Sequence, residues 1–438
     1  MGNPIIILWL QLKTGTTNLW FILGLILCAC FTNTLEVSAQ ITPDSTLNNN
    51  SVVLPDDNVN LVEITEGTTT GNNLFHSFQE FSVPDGQTAF FDNGLTIENI
   101  FSRVTGGSVS NIDGIIRANG AANLFLINPN GIIFGENATL NIGGSFISST
   151  ANSIQFSDGS FYSAVDPQAP SLLEVNIPIG LQYGSGAGNI VVEGIGNNTG
   201  FTDPSVNNYS LIKDFRPSGL QVSEGKTLAL IGGNIALDGG NLTAGEGHIE
   251  LGSVQEGLVK LDRNNNIWTF DYQEVAGFQD LALVNAASVE VSGNSSGTVN
   301  VQGKNITLTD ASAILSNTSG DGTPGNITLN GTESVQVTGV SQSNIPFVSY
   351  VSTGTTTGST GEGADLNINT RYLLVAGGAQ VDSPVFGSGQ GGTLDVNAER
   401  VELISGSRLA GPSGLFAPIV PGATGDGGDI NLAADSLL

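Results

Sequence analysis

Histidine, cysteine and clustered carboxylates are the side chains that could give this chain a catalytic or metal-binding site. Its 438 residues contain two histidines, His76 and His248, and two cysteines, Cys28 and Cys30. His76 stands between two phenylalanines, which predicts packing or a place in a cap, and His248 begins an alternating strand that should turn it to solvent. With so few imidazole and thiol groups, the sequence predicts no zinc site and no thiol chemistry.

Two acidic stretches look at first like calcium loops. The stretch from Asp262 to Gln273, DRNNNIWTFDYQ, has carboxylate or amide side chains at its first, third and fifth positions. An EF-hand would need glycine where Ile267 stands and glutamate where Gln273 stands. The segment Gly425–Leu432, GDGGDINL, looks like one calcium-binding nonapeptide repeat, but a single copy cannot build that stacked site. No metal or cofactor is therefore predicted.

Residues 1–39 have the organisation of a secretory signal peptide. A single lysine precedes an apolar run of 13 residues, Leu19–Phe31, and Val37–Ala39 is a small-x-small ending of the kind that signal peptidase cuts. The run is short for a spanning helix, so cleavage before Gln40 is favoured over a membrane anchor. A lipoprotein signal, with an acylated Cys30, is the other alternative.

Composition supports export and excludes one class of partner. Cleavage would remove both cysteines, so no wrong disulfide could form in an oxidising compartment. The formal net charge of −28 argues against binding to nucleic acid, whose phosphates would be repelled. With 39% hydrophobic and 12% charged residues, the chain is expected to fold around a large core rather than to remain a disordered acidic segment.

Glycine pairs recur about every seven residues in LALIGGNIALDGGNLTAGEGHIELG, residues 228–252, with short alternating strands between them. Three such strands give a coil of about 21 residues, which buries its apolar face only by stacking on further coils. This pattern predicts a parallel β-helix. A β-propeller would need repeats of steady length, and a sandwich would need fewer, longer strands.

The same unit continues towards the C-terminus with longer interruptions. Five glycine-led apolar pairs have anchor residues 28, 39, 28 and 36 positions apart: Val299, Ile327, Leu366, Leu394 and Ile430. The Gly/Ser/Thr-rich segments between them, such as Ser352–Gly363, are predicted to be loops that stand out from one side. Asparagines near corners are predicted to stack on their equivalents in adjacent coils: Asn305, Asn326, Asn330 and Asn367.

A tight turn is predicted within ANLFLINPNGIIFG, Ala122–Gly135. Pro129 fixes φ at the second position of the turn, Asn128 can cap it, and Gly131 lets the chain leave without a Cβ clash. Apolar residues that alternate on either side should anchor the turn on one buried face: Leu124, Leu126, Ile132 and Phe134.

Two segments, Asn72–Asn93 and Ser102–Gly159, resemble the N-terminal secretion domain of filamentous-haemagglutinin-like exoproteins, in a variant similar to that of cyanobacteria. NLFHSF, RVTGG and NPNGIIFG occur in the family's order, and NPNGI is one of its two hallmark motifs. The resemblance implies an all-β, right-handed parallel β-helix with an N-terminal cap. It assigns the hallmark residues Asn128, Pro129, Asn130, Gly131 and Ile132, and the cap or motif residues Asn73, Leu74, Phe75, His76 and Phe78.

The signal-peptide features, the resemblance and the repeats together set the predicted domains. A signal peptide, 1–39, precedes a two-partner secretion β-helix domain, 40–190, a β-helix continuation, 191–284, and irregular repeats with Gly/Ser/Thr loops, 285–438. The last repeat stops abruptly at Leu438, and the sequence leaves open whether further residues follow it. The family's other hallmark, Asn-Pro-Asn-Leu, is missing, which leaves the type of transporter open.

The resemblance implies an exoprotein that leaves a Gram-negative-type envelope through the periplasm and an outer-membrane β-barrel transporter, whose periplasmic domains are its partner. Adhesion through a cell-surface or glycan receptor is the predicted end use. The NPNGI turn either builds the coil or presents an edge to the transporter. The alternative class is a polysaccharide-acting β-helix enzyme, but its basic candidates show no spacing that pairs them with an Asp cluster: Arg103, Arg117, Arg216, Arg263, Arg371, Arg400 and Arg408.

Overall fold

All regular secondary structure that the computed structural model describes is β-strand. The described residues are 40–56, 58–168, 177–197, 200–201, 211–212, 219–340, 347–404, 406 and 411–438. The predicted signal peptide, 1–39, lies outside them. Within the described residues, no helix is long and apolar enough to span a membrane.

The strands wind into successive coils, and equivalent strands of neighbouring coils pair in parallel to form columns. The first column contains Asn73–Ser82, Asn99–Val104, Asn123–Ile127, Phe146–Ser149, Thr227–Gly232 and the start of His248–Asn264. The second column contains Ser110–Ile112, Ile132–Phe134, Ile190–Glu193, Ile235–Asp238 and Leu281–Val284. Long strands then run through both columns: Thr298–Leu308, Ile327–Thr338, Leu366–Ala376, Leu394–Ile404 and Ile430–Leu437.

A third column completes the cross-section and consists of two sheets. The first holds, in parallel, Leu61–Glu66, Thr88–Phe91, Ile115–Ala118 and Thr139–Asn141. The second holds Leu220–Gln221, Asn241–Thr243, Ser288–Glu290, Ala313–Leu315, Tyr350–Ser352, Gln380–Asp382 and Gly414–Phe416. A separate pair, Gly200–Phe201 and Leu211–Ile212, is antiparallel.

Alternating apolar residues of the three columns fill the interior, because successive side chains of a strand point to opposite faces. Leu228 pairs with Ile249, 21 residues later, which confirms the predicted coil length. The anchors of the C-terminal repeats pair in succession: Val299, Ile327, Leu366, Leu394 and Ile430. All but the last of these anchors are fully buried.

Antiparallel strands close the N-terminal end of the coil stack. Gln40–Pro43 and Thr68–Thr70 pair with Asn73–Ser82, and Ser51–Asp56 pairs with Leu61–Glu66. Apolar residues of these strands join the interior. This is the cap that the family resemblance implied.

A second, antiparallel sheet, here called the outer sheet, covers the outer side of the first column. Its strands are Ser153–Phe156, Phe161–Ser163, Pro178–Tyr183, the distal part of His248–Asn264, and Ile267–Phe278. An apolar cluster separate from the interior lies beneath it, with Phe125 on the coil side and Trp268 on the sheet side. The rings of these two residues meet edge to face, 5.2 Å apart. Sequence periodicity did not predict this sheet.

The prediction that the Gly/Ser/Thr-rich segments stand out from one side is wrong for Ser352–Gly363. Thr355 forms a parallel bridge with Thr318 of the preceding coil. A Cβ on Gly389 would lie 1.9 Å from the carbonyl oxygen of Gly361, so successive segments lie in direct backbone contact. Glycine permits this approach because it has no Cβ, and the segments therefore stack as part of the coils.

Asparagine stacking occurs at one predicted position and takes another form at a second. Asn369 Nδ2 donates to Asn330 Oδ1 at 2.9 Å. Asn305 Nδ2 instead donates to Asp280 Oδ1 at 2.8 Å, and Asn305 Oδ1 accepts from Ser334 Oγ at 2.9 Å. Asn305 therefore joins its neighbouring coils through other polar side chains.

Candidate functional site

The NPNGI motif forms a turn that is closed by a hydrogen bond from Gly131 N to Asn128 O, 3.1 Å long. Asn128 Oδ1 accepts hydrogen bonds from Asn130 N at 3.0 Å and from Asn130 Nδ2 at 3.1 Å. Gly131 has φ +123°, and a Cβ there would lie 3.0 Å from Asn189 O. The turn therefore has the predicted form, with an asparagine cap and a glycine that the backbone requires.

The side-chain amides of the turn point back to the preceding coil. Asn128 Nδ2 donates to Ser108 O at 3.0 Å and to Ser110 Oγ at 2.9 Å. Asn130 Nδ2 donates to Gly106 O at 2.7 Å. Asn128 is fully buried, whereas Asn130 is exposed. The two amides thus fasten the turn to the loop that contains the end of RVTGG and the residues directly after it.

The other side of the turn contacts the following coil. Gly188 N donates to Pro129 O at 3.0 Å, and Ile132 N donates to Asn189 O at 3.0 Å. A Cβ on Gly188 would lie 2.4 Å from the carbonyl carbon of Asn130. Ile132 is fully buried in the interior. Within the motif, the solvent-facing edge consists of Pro129 and Asn130.

Asn73 begins a ladder of buried amides along the first column. Asn99 Nδ2 donates to Asn73 Oδ1 and Asn123 Nδ2 donates to Asn99 Oδ1, both at 2.9 Å. Asn123 Oδ1 accepts from Ser145 N of the next coil at 2.9 Å. The sequence signal for this ladder was present but missed, because Asn-apolar-Phe occurs three times, as NLF, NIF and NLF.

The phenylalanines of those tripeptides stack outside the coil. The Phe75 ring lies 5.1 Å from that of Phe101, which lies 4.8 Å from that of Phe125. All three belong to the cluster beneath the outer sheet. Leu74 and Phe78 are also buried, and Phe78 belongs to the interior. NLFHSF therefore supplies both apolar clusters from one strand.

His76 is buried against the cap. Its Nδ1 lies 3.0 Å from Ser51 Oγ, and its ring lies 5.4 Å from that of Phe91. Burial lowers the pKa of His76 to about 3, so the imidazole is neutral at physiological pH. Its Nε2 has no hydrogen-bond partner in the described part of the chain. His76 therefore packs, as its neighbours in the sequence predicted, and contacts the cap.

Arg103 of RVTGG is a buried cation at the junction of three elements. Its Nε donates to Ser77 Oγ at 2.9 Å, its Nη2 to Thr46 Oγ1 at 2.8 Å and its Nη1 to Ser163 O at 2.6 Å. The guanidinium also lies 4.3 Å from the centre of the Tyr162 ring. Arg103 thereby joins three elements: the stretch that contains Asp44 and Thr46, here called the N-terminal segment, the first column and the outer sheet.

Asp44 is the carboxylate of this junction. It accepts hydrogen bonds from Thr46 Oγ1 at 2.6 Å, Ser77 Oγ at 2.7 Å and Thr105 Oγ1 at 2.6 Å. Burial raises the pKa of Asp44, but the hydrogen bonds from Thr105, Thr46 and Ser77 outweigh burial and hold the pKa below its ordinary value. Two hydroxyls therefore bridge Asp44 and Arg103, a pairing that no local sequence pattern indicated.

The prediction that His248 faces solvent is wrong. Its side chain is 3% exposed, and its Nε2 lies 2.8 Å from Glu250 Oε2. Tyr272 OH donates to Glu250 Oε1 at 2.8 Å, and the Phe270 ring stacks on the imidazole. The strand Ile267–Phe278 folds over this outer face of the coil and buries a pattern that would otherwise face water.

The calcium-like stretches are structural turns. Asn265 and Asn266, with φ +49° and +70°, form the tip of the hairpin between the two long strands of the outer sheet. Gly425–Leu432 leads into the strand Ile430–Leu437. Among the described residues, no three His, Cys, Asp or Glu side chains lie close enough together to hold a metal ion.

Comparison with solved structures agrees with this architecture. The crystal structure of the HMW1 secretion domain from Haemophilus influenzae matches with a TM-score of 0.53 and 18% identity, covering 91% of this chain and 99% of that one. The fold is thus a right-handed parallel β-helix, as predicted. The filamentous hemagglutinin secretion domain matches with a TM-score of 0.40 and 14% identity, over 90% and 99% of the two chains.

Comparison of sequences identifies the family. The heme/hemopexin-binding protein of Haemophilus influenzae is 32% identical over 136 residues. The match covers 28% of this chain and 13% of that protein, so this chain corresponds to a small part of that relative's length. A family model described as the TPS secretion domain matches residues 39–301, more than half of the chain. The chain therefore belongs to the TPS, or two-partner secretion, domain family.

Proposed function

We propose that this chain is an exoprotein whose N-terminal domain directs its export through an outer-membrane transporter. Domains of the TPS family serve such export, and the family match carries this conclusion. The match begins at residue 39, next to the predicted mature start at Gln40, and this supports cleavage of residues 1–39 as a signal peptide. It takes in the proposed secretion domain, 40–190, and the continuation, 191–284.

The NPNGI turn is proposed to join neighbouring coils and thereby to form the surface that the transporter's periplasmic domains recognise. The side-chain amides of Asn128 and Asn130 are engaged with the preceding coil, which supports a building role. Pro129 and Asn130 leave an edge to solvent. A rigid turn held from both sides presents that edge in one conformation, as recognition would require.

Adhesion or another surface interaction is the proposed end use, with a cell-surface or glycan receptor as the partner outside the cell. The repeats of 285–438 would hold such a binding region away from the export domain, because stacked coils extend along one axis. The relative named for heme and hemopexin binding supports the broader idea of a secreted binding protein. Its ligands are not assigned to this chain.

Catalysis is not part of the proposal. An open cleft of about 470 Å³ beside the C-terminal repeats contains carboxylates that a polysaccharide-acting enzyme could use. Glu333 Oε2 is bound to Arg371 Nη1 at 2.9 Å, however, and Glu402 accepts hydrogen bonds from Tyr372 and Arg400. Hydrogen bonds from Tyr372 and Arg400 lower the pKa of Glu402, so this carboxyl lacks the raised pKa of a general acid, which supports a structural role.

The export proposal is tested by expressing the full chain in a Gram-negative host with and without an outer-membrane transporter of the two-partner type. The expected result is full-length protein in the medium or on the cell surface in the presence of the transporter, and periplasmic protein in its absence. Equal release in both strains would contradict the proposal. Processing of the N-terminus is read in the same experiment by mass spectrometry, where fatty acid on Cys30 would favour the lipoprotein alternative.

A further inference from the structure

The N-terminal segment is connected to the NPNGI turn through the loop that follows Arg103. Thr105 Oγ1 donates to Asp44 Oδ2 at 2.6 Å, and Thr105 N donates to Phe78 O at 2.8 Å. Thr105 is followed directly by Gly106, whose carbonyl oxygen accepts the 2.7 Å hydrogen bond from Asn130 Nδ2. Asp44 and the exposed edge of the turn are therefore separated by two adjacent loop residues, Thr105 and Gly106, and two short hydrogen bonds.

Gly106 has little freedom to adjust if this connection changes. A Cβ there would lie 2.0 Å from Gln79 O, so the loop backbone is pressed against the first column. The amide of Asn128 holds the same loop further along, at Ser108 O. A displacement of Thr105 would thus be transmitted to both turn asparagines rather than absorbed locally.

Asp44 is held in place by the buried charge of Arg103. The Ser77 hydroxyl accepts from Arg103 Nε at 2.9 Å and donates to Asp44 Oδ2 at 2.7 Å, and the Thr46 hydroxyl makes the equivalent bridge. A buried guanidinium left without a counter-charge is strongly unfavourable. Seating of the N-terminal segment, which brings Asp44 to this place, is therefore coupled to the conformation of the RVTGG loop.

We propose that Asp44 is a positioning residue for the NPNGI turn, so that the surface read by the transporter is completed only when the N-terminal segment is seated. This inference rests on the proposed recognition role of the turn. It makes the export signal composite: Asp44 from the N-terminal segment sets the RVTGG loop, and that loop sets the side chain of Asn130. Asp44 itself need not touch the transporter.

The test compares variants of the full chain that cut this connection at different points. Asp44→Asn removes the charge at nearly constant shape. Thr105→Val removes the hydroxyl at nearly constant volume, and Thr105→Ser restores it. Val62→Ala, in a cap-side strand but outside the connection, is the control for general destabilisation, since Val62 is 6% exposed and belongs to the interior.

The first measurement is the NMR spectrum of the side-chain amides of Asn128 and Asn130, assigned by their loss in alanine variants. The second is affinity for the isolated periplasmic domains of the transporter. Asp44→Asn and Thr105→Val are expected to shift the Asn130 amide resonances and to weaken binding about tenfold or more. Thr105→Ser and Val62→Ala are expected to leave the resonances in place and binding within about twofold.

The two measurements separate the inference from the function on which it rests. Unmoved Asn130 resonances in Thr105→Val and Asp44→Asn would overturn the positioning role, whatever happens to binding. Shifted resonances with unchanged binding would overturn recognition by the turn, and the connection would then serve folding alone. If Asp44→Asn does not fold, the matched Thr105→Val and Thr105→Ser pair still decides the positioning question.

Discussion

The coils of residues 73–149 and the strands of residues 298–437 solve the same packing problem with different groups. Backbones of neighbouring coils pair in both regions, but in the first region side chains add specific contacts between coils: the buried asparagine ladder, the stacked phenylalanines and the turn amides. In the second region, long strands and glycine-rich segments bring backbone directly against backbone. The first region can therefore carry a specific motif, whereas the second can repeat with variable segment lengths.

The two regions also differ in the titratable groups that they bury. The N-terminal region buries a neutral base, His76, against its cap. The C-terminal region buries an acid, Asp382, in the third column, beside Tyr350 and Ser352. Since burial disfavours the charged form of each, the two regions should lose stability in opposite directions of pH.

The largest expected effect is the acid sensitivity of the N-terminal region. Burial lowers the pKa of His76 to about 3, against 6.5 for the free side chain, so between these values the unfolded state binds the extra proton. Stability should therefore fall as pH falls below 6.5, by up to about 5 kcal/mol near pH 3. Thermal unfolding of the full chain and His76→Phe across this range measures it, and an equal slope in both proteins would refute the assignment.

The second-largest expected effect is a loss of stability as pH rises, and its source is Asp382. Burial raises the pKa of Asp382 to about 7 from 3.8, although hydrogen bonds with Ser352 and Tyr350 oppose the shift. The folded state thus keeps a proton that the unfolded state has lost, and stability should decrease as pH rises from about 4 to 7, by up to about 4 kcal/mol. Asp382→Asn should flatten this dependence in the same melting experiment. Persistence of the full slope in the variant would contradict the prediction.

Backbone stacking in the C-terminal region predicts a cost for adding a single methyl group. Gly389→Ala places a Cβ 1.9 Å from Gly361 O and should lower the free energy of unfolding by about 1 to 3 kcal/mol. Gly107→Ala is the control, because no atom lies within 4 Å of the added Cβ and the backbone there has no positive φ. Chemical denaturation compares the two, and equal effects would show that close stacking is not what requires glycine.

The smallest expected effect concerns a row of exposed charged side chains in the C-terminal region. Arg371 lies between Glu333, at 2.9 Å, and Glu399, at 3.4 Å, and its side chain is 57% exposed. Arg371→Gln should therefore cost no more than about 1 kcal/mol, and less at high salt. Denaturation at low and high ionic strength checks this. A large, salt-independent loss of stability would mean that Arg371 contributes more to packing than its exposure indicates.

Sequence periodicity predicted the strands that pair with equivalent strands of neighbouring coils. The pairing of Val299 with Ile327 follows from a repeated pattern, because each copy finds an equivalent surface in the next coil. The outer sheet lacks such a signal. The strand His248–Asn264 starts as a coil strand and continues into a hairpin, and nothing local indicates that Trp268 will return over the first column.

For the candidate site, too, the sequence predicted the local structure but not the long-range contacts. The shape of NPNGI followed from proline and glycine, whose backbone preferences act locally. The bridge between Asp44 and Arg103 joins residues far apart in the chain and depends on two hydroxyls whose positions only the folded chain sets. Long-range polar contacts of this kind have no periodic signature.

Secretion of the full chain carrying Asn130→Ala tests the central claim most directly. Asn130 is exposed, and its loss removes one amide from the turn while Pro129 and Gly131 remain. Asn369→Ala is the matched control, since it removes an exposed amide that donates one 2.9 Å hydrogen bond in the repeats. With the transporter present, the account predicts that both variants fold, that Asn369→Ala is exported like the unaltered protein, and that Asn130→Ala is retained in the periplasm. Normal export of folded Asn130→Ala would contradict the claim that this turn forms part of the export signal.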